Sequence, residues 1–106
     1  MSSGDSSDDR STVQNPSAEV SCTVAIANEQ GLHARPVMRF VDLASRFQAR
    51  VLVQRDDRLV DGKNPMEMML LEAVKGTTLE IRACGEDAQE AVDALADLVR
   101  SGFGES

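Results

Sequence analysis

The chain has 106 residues, of which 42% are hydrophobic and 27% charged, and this composition is typical of one small globular domain. Its net charge of −7, together with the absence of Trp and Tyr, argues against a nucleic-acid partner, because phosphate backbones attract basic surfaces. No apolar run is long enough to cross a bilayer and the acidic N-terminus lacks a signal-peptide pattern, so we predict a cytoplasmic protein without membrane insertion.

The N-terminal stretch differs in composition from the rest. Residues 1–18 are rich in Ser and Asp with few large apolar residues, which predicts an acidic, disordered tail before one folded domain over residues 19–106. In that domain a period-2 alternation indicates a half-buried first strand. The apolar members of this alternation are Val20, Cys22, Val24 and Ile26. The stretch "NEQG" at 28–31 supplies a turn after it.

A first helix is predicted next, from apolar residues spaced i, i+3, i+4, i+7. They are Val37, Phe40, Val41, Ala44 and roughly Phe47. Pro36 belongs in the first turn of this helix, where a missing N–H costs nothing. The helix therefore begins directly beside His33, the single histidine of the chain.

A hairpin and a second helix follow. Alternation over about 49–55 predicts a strand, Asp56-Asp57 a turn, and residues 58–60 a short return strand. In "NPMEMMLLEAVKG" we predict Asn64 as the N-cap, Pro65 as the first helical residue and Glu67 as the partner in a reciprocal cap. The expected apolar stripe and terminator of this helix are Met66, Met69, Leu70 and Ala73, with Gly76 at its end.

The remaining elements are a fourth strand and a last helix. Leu79, Ile81 and Ala83 alternate with polar residues and predict the strand. The helix has one apolar face, formed by Ala88, Ala91, Val92, Leu95, Leu98 and Val99. The order β-α-β-β-α-β-α predicts an α+β fold, an open-faced sandwich with three helices on one face of a four-stranded antiparallel sheet.

Neither cysteine spacing nor ligand content predicts a metal centre. Cys22 and Cys84 are 62 positions apart with no CxxC spacing, so a disulfide is possible, but two free, buried or half-buried thiols are favoured in a cytoplasmic chain. One His and two distant Cys do not make a zinc site.

His33 is the candidate nucleophile. A neutral imidazole has one free nitrogen lone pair, and the positive end of a helix dipole disfavours the imidazolium form and stabilises an attached anion. Arg35, two residues later, can offer a fork of donors to phosphate oxygens. Such a site suits a transient phosphoryl adduct on nitrogen. The alternative from the residues alone is a capping or solvent-exposed histidine beside a solvated arginine.

The stretch "GLHARP" at 31–36 resembles the active-site signature of the HPr family, the histidine-containing phosphocarrier proteins of the bacterial sugar phosphotransferase system. "FVDLASRFQARVLV" resembles the family's first helix and second strand, and "CGEDAQEAVDALADLV" resembles its final helix. The second-helix region, "VDGKNPMEMMLLEAVKGTTLEI", is similar too. The resemblance spans about residues 20–106 and implies the HPr fold, whose sheet runs 1-4-2-3.

This resemblance implies specific roles. His33 would be phosphorylated on its δ nitrogen, receiving phosphate from phosphorylated enzyme I and passing it to a IIA-type acceptor. Arg35 would hold phosphate oxygens, and Ala34 would present a backbone N–H. No cofactor is implied, catalysis in the strict sense would belong to the partners, and a monomer is the default.

The resemblance also implies a docking surface and marks departures from the family pattern. Met38, Met66 and Met69 would lie on or near that surface; core packing is the alternative for Met66 and is favoured for Met69. Many members carry a regulatory serine where this chain has Asn64, which cannot accept that modification. The other departures in the docking region are Asp42, Ser45, Pro65 and Glu67.

Two hypotheses follow from the intact histidine site and the altered docking region. In the first, the protein is a phosphocarrier in sugar uptake or in a regulatory branch. In the second, it is an HPr-like interaction module with weak or no phosphotransfer.

Overall fold

The computed structural model describes residues 19–105. Strands and helices follow one another in the order that the sequence predicts, and a short 3-10 helix follows the last α-helix. The elements are β1 (Glu19–Ala25), α1 (Ala34–Ala44), β2 (Arg50–Arg55), β3 (Arg58–Asp61), α2 (Pro65–Met69), β4 (Thr78–Cys84), α3 (Ala88–Arg100) and the 3-10 helix (Gly102–Gly104). The predicted acidic tail, residues 1–18, lies outside the described residues.

The four strands form one antiparallel sheet in the order β1-β4-β2-β3. Its two central strands are the last and the second along the chain. Ile81 of β4 lies opposite Cys22 on one side and Val53 on the other. The predicted open-faced α+β sandwich is confirmed.

One face of the sheet is covered by the helices and carries the core. Val51 and Val53 of β2, and Ile81 of β4, are fully buried there, as period-2 alternation predicts. Helices α1 and α3 supply the facing apolar stripes, including Phe40 and Leu95. On α3 the predicted apolar face differs at two positions. Ala96, which was not predicted, is buried, and the predicted Leu98 is only half-buried.

The predicted apolar stripe of the second helix is wrong except at Ala73, which is buried. Met68 and the following Leu71 are fully buried, whereas Met66, Met69 and Leu70 are 77%, 42% and 59% exposed. The reason is that α2 is only five residues long and ends at Met69 rather than near Gly76. The chain then continues in an irregular segment, from which Leu71 and Ala73 turn inward.

The cap of α2 is partly as predicted. Asn64 Oδ1 accepts a hydrogen bond from the backbone N–H of Glu67 at 3.2 Å, and Pro65 is the first helical residue. The carboxylate of Glu67, however, accepts from the N–H of Asp61 at 2.9 Å, because the N–H of Asn64 already donates to the Asp61 carbonyl. The reciprocal bond therefore reaches the end of β3 and ties α2 to that strand.

The two cysteines are half-buried, and no disulfide joins them in the described structure. Cys22 lies opposite the buried Ile81 on the helix side of the sheet, where its sulfur accepts a bond from Arg100 of α3 at 3.3 Å. Cys84 directly follows the inward-facing Ala83, so it belongs to the opposite face. Within residues 19–105, none of the helices is both long and apolar enough to span a membrane.

Candidate functional site

His33 follows a tight loop and directly precedes the first residue of α1. The backbone N–H of Gly31 donates to the carbonyl of Asn28 at 3.2 Å, which closes the predicted turn. Leu32 N–H then donates to the Ala73 carbonyl at 2.8 Å. Gly31 has φ +71°, and a Cβ there would lie 2.6 Å from the Ala73 oxygen. Only glycine lets the loop approach this segment so closely.

The His33 side chain is open to solvent. It is 41% exposed and makes no hydrogen bond to the backbone of its own helix, although His33 is the N-cap residue. Within residues 19–105 its Nδ1 atom has no hydrogen-bond partner. An imidazole nitrogen that is neither capped nor buried is available to an incoming electrophile.

The N-terminus of α1 favours an anion beside this ring. The backbone N–H groups of Ala34 and Arg35 have no acceptor among the described residues, and Pro36 has no N–H. The first turn of α1 contains no acidic residue, so no carboxylate on that turn opposes an added negative charge. The Arg35 side chain is exposed and makes no ion pair within the described part of the chain. His33, Ala34 and Arg35 thus share one helix start, as predicted.

Two further residues belong to the site and were missed from the sequence. Glu105 Oε1 lies 3.3 Å from Nε2 of His33, and the buried Asn28 donates through Nδ2 to the same oxygen at 3.1 Å. The sequence indicates Asn28 only as a turn residue. Glu105 lies 72 positions after His33, and nothing in its local pattern marks it.

The chain after α3 carries Glu105 back to the histidine. Phe103 is fully buried, and Arg39 of α1 donates to the Phe103 carbonyl oxygen. Phe103 has φ +59°, between Gly102 at +70° and Gly104 at +75°. In the sequence, the signal for this return of the chain to the core is a large apolar residue, Phe103, between two glycines.

The predicted docking residues are exposed on or beside two neighbouring helices. Met38 of α1 is 46% exposed, and Met66 and Met69 belong to α2, which packs against α1. The interpretation of Met69 as a core residue is wrong, because Met68 occupies the core instead. Leu70 and Val74 extend this exposed apolar set and were not singled out as docking residues. We call Met38, Met66, Met69, Leu70 and Val74 the apolar face.

The departures from the family pattern lie at the ends of the same two helices. Asp42 is exposed on α1, and Ser45 is the exposed residue that follows its last turn. Asn64, Pro65 and Glu67 form the start of α2 described above. Two depressions in the described surface lie beside β3 and the segment after α2, and a third lies on residues of β1, β2 and β4. His33 lines none of these three.

Comparisons with known proteins agree on one family. The family model described as "PTS HPr component phosphorylation site" matches residues 20–101. The "Phosphocarrier protein HPr" of Neisseria meningitidis serogroup A is 43% identical over 83 residues, which cover 78% of this chain and 93% of that protein. The "Phosphocarrier protein NPr" of Escherichia coli K12 is 36% identical over 84 residues, covering 78% of this chain and 93% of that protein. The crystal structure of HPr-C-His from Thermoanaerobacter tengcongensis has a TM-score of 0.79 and 40% identity, over 82% of this chain and 98% of that one.

Proposed function

Because the chain belongs to the HPr family of the phosphotransferase system, we propose that it carries a phosphoryl group on the δ nitrogen of His33. It accepts this group from phosphorylated enzyme I and passes it to IIA-type or regulatory acceptors. In this role the protein is a carrier rather than an enzyme, and it needs no cofactor, because its partners supply the catalytic groups.

The observation that carries this proposal is the availability of one ring nitrogen at a helix start. Nδ1 of His33 has no partner within residues 19–105, and the unpaired N–H groups of Ala34 and Arg35 lie in the first turn beside it. Phosphoryl transfer needs a lone pair in line with the leaving group and donors for the phosphate oxygens. A nucleophile that serves several proteins must also be reachable from solvent, and the His33 side chain is 41% exposed.

The chemical step balances within this site. The Nδ1 lone pair forms a bond to phosphorus while the bond between phosphorus and the donor's side chain breaks, and the electron pair of that bond stays with the donor. Two negative charges arrive beside the positive end of α1. Arg35 can turn its free guanidinium toward the phosphate oxygens and bind two of them at once.

The apolar face supports a docking role for α1 and α2. Exposed methionines adapt their shape to more than one partner, which suits a carrier that meets a donor and several acceptors in turn. We propose a cytoplasmic monomer, since the carrier must diffuse between its partners. Light scattering in solution should then give a mass near 11.4 kDa.

The second candidate is an HPr-like interaction module with weak or no phosphotransfer. The exposed carboxylate of Asp42 on α1 favours it, because a negative charge in the docking region lowers the attraction to an acidic partner. The side chain of Asn64 is an amide, so a serine kinase finds no hydroxyl to phosphorylate at this position. Regulation through that residue is therefore absent in either case.

Labelling with phosphoenolpyruvate and the enzyme I of the same organism separates the two candidates. The carrier gains the mass of one acid-labile phosphate, and His33→Ala gains none. The proposal fails if the wild type takes up no phosphate, or if His33→Ala takes up as much as the wild type.

A further inference from the structure

One carboxylate oxygen of Glu105 contacts two nitrogen atoms at the site. Its Oε1 lies 3.3 Å from Nε2 of His33 and 3.1 Å from Nδ2 of Asn28. A carboxylate oxygen only accepts hydrogen bonds. The contact to His33 is thus a hydrogen bond only when Nε2 carries a proton, and in the neutral ring the lone pair is then on Nδ1.

Asn28 holds the carboxylate of Glu105 through Nδ2, while its own Oδ1 is left without a hydrogen bond in the described structure. This side chain is 5% exposed, and its Nδ2 donates to the Gly31 carbonyl at 2.7 Å as well as to Glu105. Its Oδ1 is buried without a partner in the described structure. Rotating the amide by half a turn would place Oδ1 against two acceptors, so this orientation is the favourable one. Leaving Oδ1 buried without a donor destabilises the folded state, but the same orientation of the amide directs Nδ2 at Glu105 and fixes the position of its carboxylate.

The backbone that leads to Glu105 is also held in place. Phe103 is buried in the core and its carbonyl accepts from Arg39, two residues before Glu105. The N–H of Glu105 donates to the Gly102 carbonyl at 2.9 Å. The carboxylate is therefore positioned before any partner arrives, rather than recruited from a freely moving side chain.

From this geometry we propose that Glu105, held by Asn28, is a positioning residue that keeps the proton of His33 on Nε2 and leaves Nδ1 as the nucleophile. The proposal rests on the function proposed above and deepens it. During transfer the ring keeps its Nε2 proton and becomes positively charged as the bond from Nδ1 to phosphorus forms. The carboxylate of Glu105 faces that charge. In onward transfer the same proton lets the ring leave as neutral imidazole, so one contact serves both directions.

The tautomer of His33 can be measured without any partner protein. Nitrogen-15 shifts of the neutral ring distinguish the protonated from the unprotonated nitrogen. We expect the wild type to hold the proton mainly on Nε2 and Glu105→Ala to shift it toward Nδ1. Glu105→Gln keeps an acceptor oxygen and should keep the wild-type tautomer. A wild-type proton on Nδ1, or the same tautomer ratio in Glu105→Ala as in the wild type, overturns the proposal.

A matched control removes another carboxylate from the same region. Glu29 lies in the His33 loop and pairs with Lys75 at the surface, so Glu29→Ala changes the net charge by the same amount without touching the site. Its tautomer ratio should equal that of the wild type. If Glu29→Ala shifts the tautomer as far as Glu105→Ala does, the effect is one of general charge, and the positioning role is wrong.

Transfer rates complete the test. Glu105→Ala should accept phosphate from enzyme I about fivefold more slowly, while Glu29→Ala stays at the wild-type rate. A normal rate in Glu105→Ala overturns the proposal even if the tautomer shifts. If the wild type accepts no phosphate at all, the proposed function fails, and the nitrogen shifts still decide whether Glu105 positions the proton.

Discussion

The carboxylate of Asp87 accepts a hydrogen bond from the backbone N–H of Gln48 at 2.8 Å, and so ties the start of α3 to the start of β2. Its second oxygen accepts from the N–H of Ala49, also at 2.8 Å. Asp87 is the N-cap residue of α3, yet its side chain makes no bond to that helix. The two bonds to the residues just before β2 replace the usual cap and lower the pKa of Asp87, with the N–H of Gln48 as the larger cause.

We expect this tie to make stability depend on pH. Because the pKa of Asp87 is lower in the folded state, the unfolded chain binds the proton more readily and stability rises with pH in that window. The contribution is complete above the ordinary Asp pKa of about 3.9 and is lost as the pH falls through the lower, folded-state value. Urea unfolding of the wild type and Asp87→Asn should show a constant difference between pH 6 and 8 and a shrinking one below about pH 4. A difference that does not change with pH would exclude this role.

The close approach of the His33 loop to Ala73 predicts a large effect of Gly31→Ala. The new Cβ would meet the Ala73 oxygen at 2.6 Å in a left-handed backbone, so we expect a loss of about 2–5 kcal/mol in the free energy of unfolding. Gly76→Ala is the matched control: its φ is +90°, but nothing lies within 4 Å of the added atom. That control should lose only about 1–2 kcal/mol. Equal losses would show that contact with Ala73 contributes nothing.

Arg35→Ala should slow acceptance of phosphate about 10- to 100-fold without unfolding the protein, because a bond between a guanidinium and phosphate is charge-assisted. Arg35→Lys should recover only part of the rate, since an ammonium group lacks the planar fork. Arg46→Ala removes the same charge from an exposed position after α1 and should leave the rate unchanged. Stopped transfer reactions analysed by mass spectrometry give all three rates. Equal rates for Arg35→Ala and Arg46→Ala would rule out a specific role.

Met66 tests the docking role of the apolar face. It is 77% exposed, so Met66→Asp should leave the folded state intact while it places a charge in the interface. We expect KM for this protein as a substrate of enzyme I to rise about tenfold with little change in kcat, since docking rather than chemistry is affected. Met66→Leu keeps the apolar area and should behave as the wild type does. An unchanged KM in Met66→Asp would place the donor elsewhere on the molecule.

The cap of α2 predicts how Asn64 can be replaced. Asn64→Ala removes the acceptor for the Glu67 N–H and should cost about 1 kcal/mol of stability. Asn64→Ser keeps an acceptor oxygen and should stay within about 0.5 kcal/mol of the wild type. Thermal unfolding of the two variants gives this comparison. An equal loss of stability in Asn64→Ala and Asn64→Ser would mean that the hydrogen bond to the Glu67 N–H does not stabilise the protein.

Elements with a clear period were predictable from the sequence. The buried alternation of β2 and β4 and the stripes of α1 and α3 fix the sheet and its covered face, because burial enforces the period. His33 and Arg35 were also found, since both lie within one local motif. Their shared position at the start of α1 follows from Pro36, which can only begin a helix there.

The parts that were not predictable depend on contacts between distant residues. At the end of α2 and just after it, four apolar residues in a row fit more than one stripe, and only packing decides that Met68 rather than Met69 is buried. Glu105 reaches His33 because Phe103 is drawn into the core and Arg39 holds its carbonyl. No spacing rule connects positions so far apart in the chain.

The first strand of the sheet pairs with the last one, so a growing chain on the ribosome cannot complete this domain early. While Leu32 emerges, the Ala73 carbonyl that holds its loop and the β4 strand that pairs with β1 have not yet been made. Such distant pairings form late in folding. A half-synthesised chain therefore lacks the contacts that hold the His33 loop, and the site proposed here exists only in the finished domain.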